Sequence, residues 1–287
     1  MAQQRDDDKV RDAVRDRYAE VAKSGSSCCC GSSAEEADAV EAYLTRRTGD
    51  EESARLGYSA EELAAAPEGA NLGLGCGNPQ AIAALKAGEV VVDLGAGAGF
   101  DCFLAARAVG PTGAVIGVDM TPEMVGRARD IARKSEFANV DFRLGEIEHL
   151  PVADNTADVI ISNCVVNLSP DKQAVYNESY RVLKPGGRLA VSDVVATAEL
   201  PQEWRDDMRL HSACISGASS VAEVEGMLRA AGFVEILIEP KDQSREFIQD
   251  WEPGRKLEDY VLSASMTATK MALPGALPGA ADKCFLR

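Results

Sequence analysis

Val90-Val91-Val92-Asp93-Leu94-Gly95-Ala96-Gly97-Ala98-Gly99-Phe100 joins a run of β-branched residues to an acid and then to three glycines at every second position. A short apolar run bounded by glycines predicts a strand buried on both faces, as in a parallel sheet. The loop that follows must turn sharply and let a ligand approach bare backbone, which glycine permits because it has no Cβ. The spacing is Gly-x-Gly-x-Gly rather than the Gly-x-Gly-x-x-Gly of dinucleotide sites, and Asp93 stands just before the first glycine. That carboxylate would repel a pyrophosphate at the helix N-terminus. It would attract S-adenosylmethionine, which carries an ammonium and a sulfonium. A second acid, for the ribose hydroxyls, is expected at the tip of the next strand. Ala114-Val115-Ile116-Gly117-Val118-Asp119 supplies it, 26 residues after Asp93. Thr121-Pro122-Glu123 is expected to cap and open a helix whose apolar stripe is Met124, Ala128, Ile131 and Ala132.

With these elements the chain resembles the class I S-adenosylmethionine-dependent methyltransferases. Leu183-Lys184-Pro185-Gly186-Gly187, followed by Arg188-Leu189-Ala190-Val191-Ser192-Asp193, is similar to that family's turn into its fifth strand, and Pro-Gly suits a type II turn. Gly145-Glu146-Ile147-Glu148-His149-Leu150-Pro151 is similar to the loop after the third strand, in which an acid meets the adenine amino group. The resemblance therefore implies a cofactor set of Asp93, Gly95, Gly97, Gly99, Asp119, Met120, Glu146, Ile147 and Asn163. It implies an α/β fold with a mainly parallel, doubly wound, Rossmann-like sheet.

Composition bounds the rest. A chain of 287 residues with 46% hydrophobic content can bury one full α/β core and keep about seventy to a hundred residues for additions. There is no run of about eighteen apolar residues, and the start lacks the apolar centre of a signal peptide, so a soluble, cytoplasmic protein without membrane attachment is expected. A formal charge of −16 disfavours nucleic acid as a partner and suits small neutral or cationic substrates. Halophilic adaptation gives the same charge.

Eight cysteines remain: Cys28, Cys29, Cys30, Cys76, Cys102, Cys164, Cys214 and Cys284. A disulfide framework does not suit a cytosolic chain of this size, which turns attention to metal binding or redox chemistry. Cys102, beside Phe103 and Leu104, reads as a small core residue. Cys164 ends the fourth predicted strand, Asp158-Val159-Ile160-Ile161-Ser162-Asn163-Cys164, and so faces the crevice where open α/β sheets bind ligands. Cys76 lies in the glycine-dense stretch Gly73-Leu74-Gly75-Cys76-Gly77-Asn78-Pro79, and Cys214 in Cys214-Ile215-Ser216-Gly217-Ala218 beyond the fifth strand. Each alone reads as a small buried residue; three around one crevice read as a site.

These segments, together with Asp101-Cys102, Asp119-Met120-Thr121-Pro122 and Ser162-Asn163-Cys164-Val165-Val166-Asn167-Leu168, are similar to arsenite methyltransferases from about residue 28 to about 270. The resemblance implies methylation of trivalent arsenic, with Cys76, Cys164 and Cys214 as three of four important cysteines and the fourth among Cys28, Cys29 and Cys30. Arsenic(III) is soft and prefers thiolates. Held by them in a trigonal pyramid, it keeps a lone pair that can attack a sulfonium methyl with no general base. A free thiol is a few per cent ionised at pH 7, so binding must drive deprotonation or the site must lower the pKa. The pentavalent product needs two electrons, which neighbouring cysteines can supply by closing a disulfide that thioredoxin or glutathione reopens. Cys76 with one of Cys28, Cys29 or Cys30, on a Ser/Gly-rich arm, is the candidate pair. Neither His149 nor His211 is given a catalytic role. Two alternatives remain: a quinone- or sterol-type carbon methyltransferase on the same scaffold, and a non-catalytic thiol metalloid binder.

The expected organisation is an N-terminal helical segment with the cysteine-bearing arm (1–70), the cofactor-binding core (71–196), an arsenic-binding insertion with returning strands (197–270), and a disordered tail (271–287). Within it, 1–24 reads as a charged helix, 35–70 as mostly helical with a break at Thr48-Gly49-Asp50, and strands fall near 90–94, 114–118, 140–144, 158–163 and 188–195. Val221 to Ala231 reads as a helix stopped by Gly232, Val234 to Ile238 as a strand, and Tyr260 to Thr267 as the last strand.

Overall fold

The computed structural model describes residues 2–24, 49–252 and 254–272. The expectations for Cys28, Cys29, Cys30 and Cys284, for 35–48 and for most of the tail lie outside the described residues. The strands are β1 Val90–Leu94, β2 Ala114–Asp119, β3 Val140–Leu144, β4 Ala157–Asn163, β5 Leu183–Ala196, β6 Ser219–Ser220, β7 Phe233–Pro240 and β8 Val261–Lys270. They form one mixed sheet in the order β3-β2-β1-β4-β5-β8-β7, with β6 beside β5.

β1 pairs parallel with β2 and β4, and β4 with β5, while β8 runs antiparallel to β5 and β7. The period-2 geometry of a strand sends alternate residues into two separate cores. Val91, Val115, Val159 and Ile161 pack with Phe103, Val125 and Ala128 on one face. Val92, Leu94, Ile116, Ile160 and Val191 pack with Val175, Leu228 and Met266 on the other. Burial on both faces is why these strands read as unbroken apolar runs. After β1 the chain winds outward through β2 and β3 and then crosses back to β4. That reversal opens a crevice beyond the carboxyl ends of β1 and β4.

The stripe Met124, Ala128, Ile131 and Ala132 is buried on the helix Pro122–Lys134, as expected. Its start differs in detail. Thr121 holds the N-cap position, but its side chain makes no cap hydrogen bond. Gly186 takes φ +81° after Pro185, the value a type II turn needs, yet the segment is a kink within β5, which begins at Leu183 rather than near 188. The helix Val221–Ala231 ends at Gly232 in the left-handed conformation.

The helix Ala2–Ser24 is not a detached charged element. Its buried face, with Val14, Val21 and Ala22, follows helical spacing. Val14 packs in the cluster that holds Cys76, Leu168 and Cys214, and Val21 and Ala22 pack on Leu72, Ala98 and Met124. Arg127 donates to the Ala22 carbonyl at 3.0 Å, and Lys23 pairs with Glu123 at 3.2 Å. The helix therefore lies over the strand-tip crevice. Among the described residues no helix is long and apolar enough to cross a membrane.

Candidate active site

The strand tips, the glycine loop and the N-terminal helix line a partly open crevice. Asp93, Gly95, Ala96, Gly97 and Ala98 form its floor, Asp119, Met120 and Ile147 one side, and Asn163, Cys164 and Cys214 the other. Arg11, Val14 and Tyr18 close it from above.

Gly95 and Gly97 have φ values of +69° and +53°. A Cβ on Gly97 would stand in open space, so the crevice has a cradle that a side chain would fill. Gly99 works differently. It caps the helix Phe100–Val109 at φ +94°, and a Cβ there would stand 2.6 Å from Phe142, so this glycine serves helix packing rather than the crevice.

Asp119 sits at the tip of β2, where Oδ2 accepts from Gly97 N at 2.9 Å and Oδ1 from Thr121 N at 2.8 Å. Burial raises its pKa, though both N–H groups oppose the shift. Asp93 is 2% exposed and accepts the Cys102 thiol at 3.1 Å. Cys102 is thus in the core, as expected, but its sulfur also serves that acid. Burial, and then the charge of Asp101, hold Asp93 well above the usual carboxylate range. A cationic ligand in the crevice would relieve both carboxylates.

Glu146 does not line the crevice. It faces outward, 3.7 Å from Arg11 and 3.8 Å from Arg15. Glu148, two residues on, lines the crevice instead, with its Oε1 accepting from Ser169 Oγ at 2.6 Å and lying 3.5 Å from Arg11.

Three cysteines from three distant segments meet at the other side. The Cys76 and Cys164 sulfurs and a carboxylate oxygen of Asp193 lie within 4.8 Å of one another. Cys76, Cys164 and Cys214 pack in one cluster, with the Cys164 thiol interacting with both of the others, and Cys214 Sγ donates to the Cys164 carbonyl at 2.9 Å. All three are free thiols. Cys164 and Cys214 have φ values of +57° and +63°, a left-handed conformation that costs an L-residue about 1–2 kcal/mol.

The Cys76 loop is held from both sides. Asn163 Oδ1 accepts from Cys76 N at 3.1 Å, and Asn163 Nδ2 donates to the Gly77 carbonyl at 2.8 Å. Ser263 Oγ donates to the Cys76 carbonyl at 2.6 Å. Asn163 reaches Tyr58 Oη at 3.1 Å and Asp101 Oδ2 at 3.3 Å, and Tyr58 donates to Asp101 Oδ1 at 2.8 Å. One buried network thus ties the cysteine loop to the helix that follows the glycine loop.

Burial pushes the Cys76 thiol up to about 11. The contact with Cys214 pulls the Cys164 thiol down, but the contact with Cys76 and burial outweigh it and the net shift is well upward. Cys214 is raised by its contact with Cys164 and then by burial. The site keeps its thiols protonated. A thiophilic ligand must therefore displace the protons itself.

Sequence reasoning missed Glu148, the roof of Arg11, Val14 and Tyr18, and Asp193 beneath the cysteines. Asp193 ends the run Leu189-Ala190-Val191-Ser192 as Asp93 ends Val90-Val91-Val92, so the same pattern could have found it. His211 Nε2 hydrogen-bonds the Leu168 carbonyl at 3.2 Å, and neither histidine lines the crevice.

A doubly wound sheet with strand-tip acids and an open glycine cradle defines a class I S-adenosylmethionine-dependent methyltransferase. Residues 85–232 match the family model for a methyltransferase domain. The chain is 52% identical over 272 residues to an arsenite methyltransferase of Halobacterium salinarum, covering 95% of this chain and 69% of that protein. It is 47% identical over 159 residues to one of Aquipseudomonas alcaligenes, covering 53% of this chain and 46% of that one. The crystal structure of an arsenic(III) S-adenosylmethionine methyltransferase from Chlamydomonas reinhardtii superposes with a TM-score of 0.57 at 34% identity, covering 78% of this chain and 74% of that one. The chain belongs to the arsenite methyltransferase family.

Proposed function

We propose that the enzyme methylates trivalent arsenic, arsenite and methylarsenite, with Cys76, Cys164 and Cys214 as the sulfur ligands. The observation that supports this reading is the meeting of three free thiols at the edge of the cofactor crevice. S-adenosylmethionine, when bound, supplies an electrophilic methyl group on a sulfonium. Asp119 would hold the ribose hydroxyls, Met120 and Ile147 would line the adenine side, and the Gly95–Gly97 cradle with Asp93 would receive the methionyl end.

The chain's own task is to present arsenic with its lone pair free. Each thiol that joins arsenite releases one hydroxide of the substrate as water, its own proton going into that water, so loading needs no net proton release. That balance suits thiols with raised pKa values. Three sulfurs occupy three corners of a pyramid and leave the lone pair at the fourth. Cys164 shares the wall of the cofactor crevice with Asn163. Positioning of this kind can supply up to roughly 7–11 kcal/mol of the barrier reduction.

After transfer, two cysteine thiols close a disulfide and return arsenic to the trivalent state, with Cys76 and one of Cys28, Cys29 or Cys30 as the pair, and thioredoxin or glutathione reopens it. Free thiols of this kind need a reducing compartment, which suits the cytoplasm. The acids in the crevice and a net charge of −16 suit a cationic cofactor and a neutral arsenic(III) substrate.

The test is incubation of the full chain with arsenite, S-adenosylmethionine and a thiol reductant, followed by separation of the arsenic species. Methylated arsenic is the expected product. Unchanged arsenite alongside methylation of a quinone or sterol acceptor would replace this reading with the carbon-methyltransferase one.

A further inference from the structure

The proposed arsenic chemistry gives no role to the buried acid beside the cysteines. Asp193 is 2% exposed, and its carboxylate oxygen lies within 4.8 Å of both the Cys76 and Cys164 sulfurs. Arsenic(III) fills its coordination with three thiolates and a lone pair, so a fourth donor on an oxygen is surplus to it. Its position is nonetheless held firmly. Oδ1 accepts from Val194 N at 2.7 Å and from Asn167 Nδ2 at 2.9 Å, and Oδ2 accepts from Asn167 N at 3.3 Å. The Val166 N–H and the Lys172 ammonium also act on it, and Oδ2, whose bond from Asn167 N is the longest of the three, is the oxygen more open to a cation.

Two sulfurs and a carboxylate oxygen, with a third sulfur in contact with one of them, are the donor set of a thiophilic divalent cation. Tetrahedral zinc takes cysteine sulfur at about 2.3 Å and carboxylate oxygen at about 2.0–2.2 Å, which places its donors roughly 3.5–4 Å apart. For Cys76, Cys164 and Asp193 the spacing, within 4.8 Å, is about 1 Å from that, while Cys214, beside Cys164, joins the set by a larger side-chain movement. Ligand carboxylates and their hydrogen-bonded orienters form the usual second layer of such a site, and Asn167 and the Val194 N–H fill that role here. A net charge of −16 favours cations around the molecule as a whole.

We infer that Cys76, Cys164, Cys214 and Asp193 form a zinc-binding site in the arsenic-free enzyme, and that zinc and arsenite occupy it in turn. On binding, each ligating thiol releases its proton to solvent and the metal takes the thiolate, with no change of oxidation state. A cation there would shield the sulfurs from oxidation and would have to leave before arsenite enters. The site stands on its donor set; only the exclusion of arsenite rests on reading these cysteines as arsenic ligands.

The experiment uses the full chain with Cys28, Cys29, Cys30 and Cys284 replaced by serine, reduced and freed of metal and small thiols. Zn²⁺ is titrated against a chromophoric chelator. One equivalent is expected to bind, with affinity reduced about tenfold or more by Cys164→Ser and by Asp193→Asn. X-ray absorption of the zinc-loaded protein, which needs no further variant to fold, is expected to show sulfur neighbours together with an oxygen neighbour. Arsenite is expected to displace the zinc and to bind Asp193→Asn within about threefold of its affinity for Asp193. Absence of stoichiometric zinc, affinity unchanged in Cys164→Ser, or a shell without oxygen overturns the inference. Zinc bound as described in an enzyme that fails to methylate arsenite would leave the site standing and remove the proposed function instead.

Discussion

The cofactor half and the cysteine half of the crevice both depend on backbone in the left-handed region, and they reach it with opposite residues. Gly95 and Gly97 take φ of +69° and +53° without penalty. Cys164 and Cys214 take +57° and +63° at a cost of about 1–2 kcal/mol each. The cofactor half needs bare backbone, so the strain-free residue serves it. The cysteine half needs a sulfur at the turn itself. Strain there persists because the surrounding network over-determines it: Asn163 and Ser263 clamp the Cys76 loop, and Cys214 donates to the Cys164 carbonyl.

If the strain serves the thiols, removing a thiol should cost function far more than fold. If Cys164 and Cys214 are the pair nearest the sulfonium, Cys164→Ser and Cys214→Ser should each lower methylation of both arsenite and methylarsenite by roughly a hundredfold or more, because the one of that pair left, even with Cys76, does not aim the lone pair at the methyl group. Cys76→Ser should be selective. Methylarsenite has one position taken by carbon and needs two sulfurs, so it should still be methylated while arsenite is not. Rates with both substrates under one reductant measure this, and equal losses in Cys76→Ser would break the assignment of roles.

The cofactor half should respond through affinity instead. Asp119→Ala should weaken S-adenosylmethionine binding by about 2–3 kcal/mol, or roughly thirty- to a hundredfold, by removing charge-assisted hydrogen bonds, while arsenic binding survives. Calorimetry on the folded variant decides it, and unchanged affinity would move the ribose contact elsewhere.

The smallest effect tests the comparison itself. At Cys164 both Gly and Ala lack the thiol, yet Cys164→Gly should be more stable than Cys164→Ala by about 1 kcal/mol, since only glycine is free of the left-handed penalty. At Gly97, where an added Cβ meets nothing within 4 Å, Gly97→Ala should likewise lose about 1 kcal/mol. Chemical denaturation measures both. An alanine as stable as glycine at position 164 would mean that the cysteine turn is not strained.

Much of the cofactor half was legible because its signals are local. The apolar run, the acid and the glycines of 90–100 lie within eleven residues. Gly97 and Asp119 fall where that pattern put them. The cysteine half was legible in its residues but not in its geometry. That Cys76, Cys164 and Cys214 meet depends on the crossing from β3 to β4 and on the loop after Met208–Ser212, which no local window contains. The exchange of Glu146 for Glu148 turns on which way a short loop faces, and two residues apart the pattern is silent. Arg11 and Val14 were hidden for another reason. Their helix is so rich in charge that its narrow apolar face is easily read as solvated.

Arsenic-edge X-ray absorption of the full chain loaded with one equivalent of arsenite, without external thiols, tests the central claim most directly. With Cys28, Cys29, Cys30 and Cys284 changed to serine, three sulfur neighbours and no oxygen are expected, falling to two sulfurs and an oxygen in Cys214→Ser. An oxygen-bound arsenic in the parent protein, or a shell unchanged by Cys214→Ser, would contradict the account.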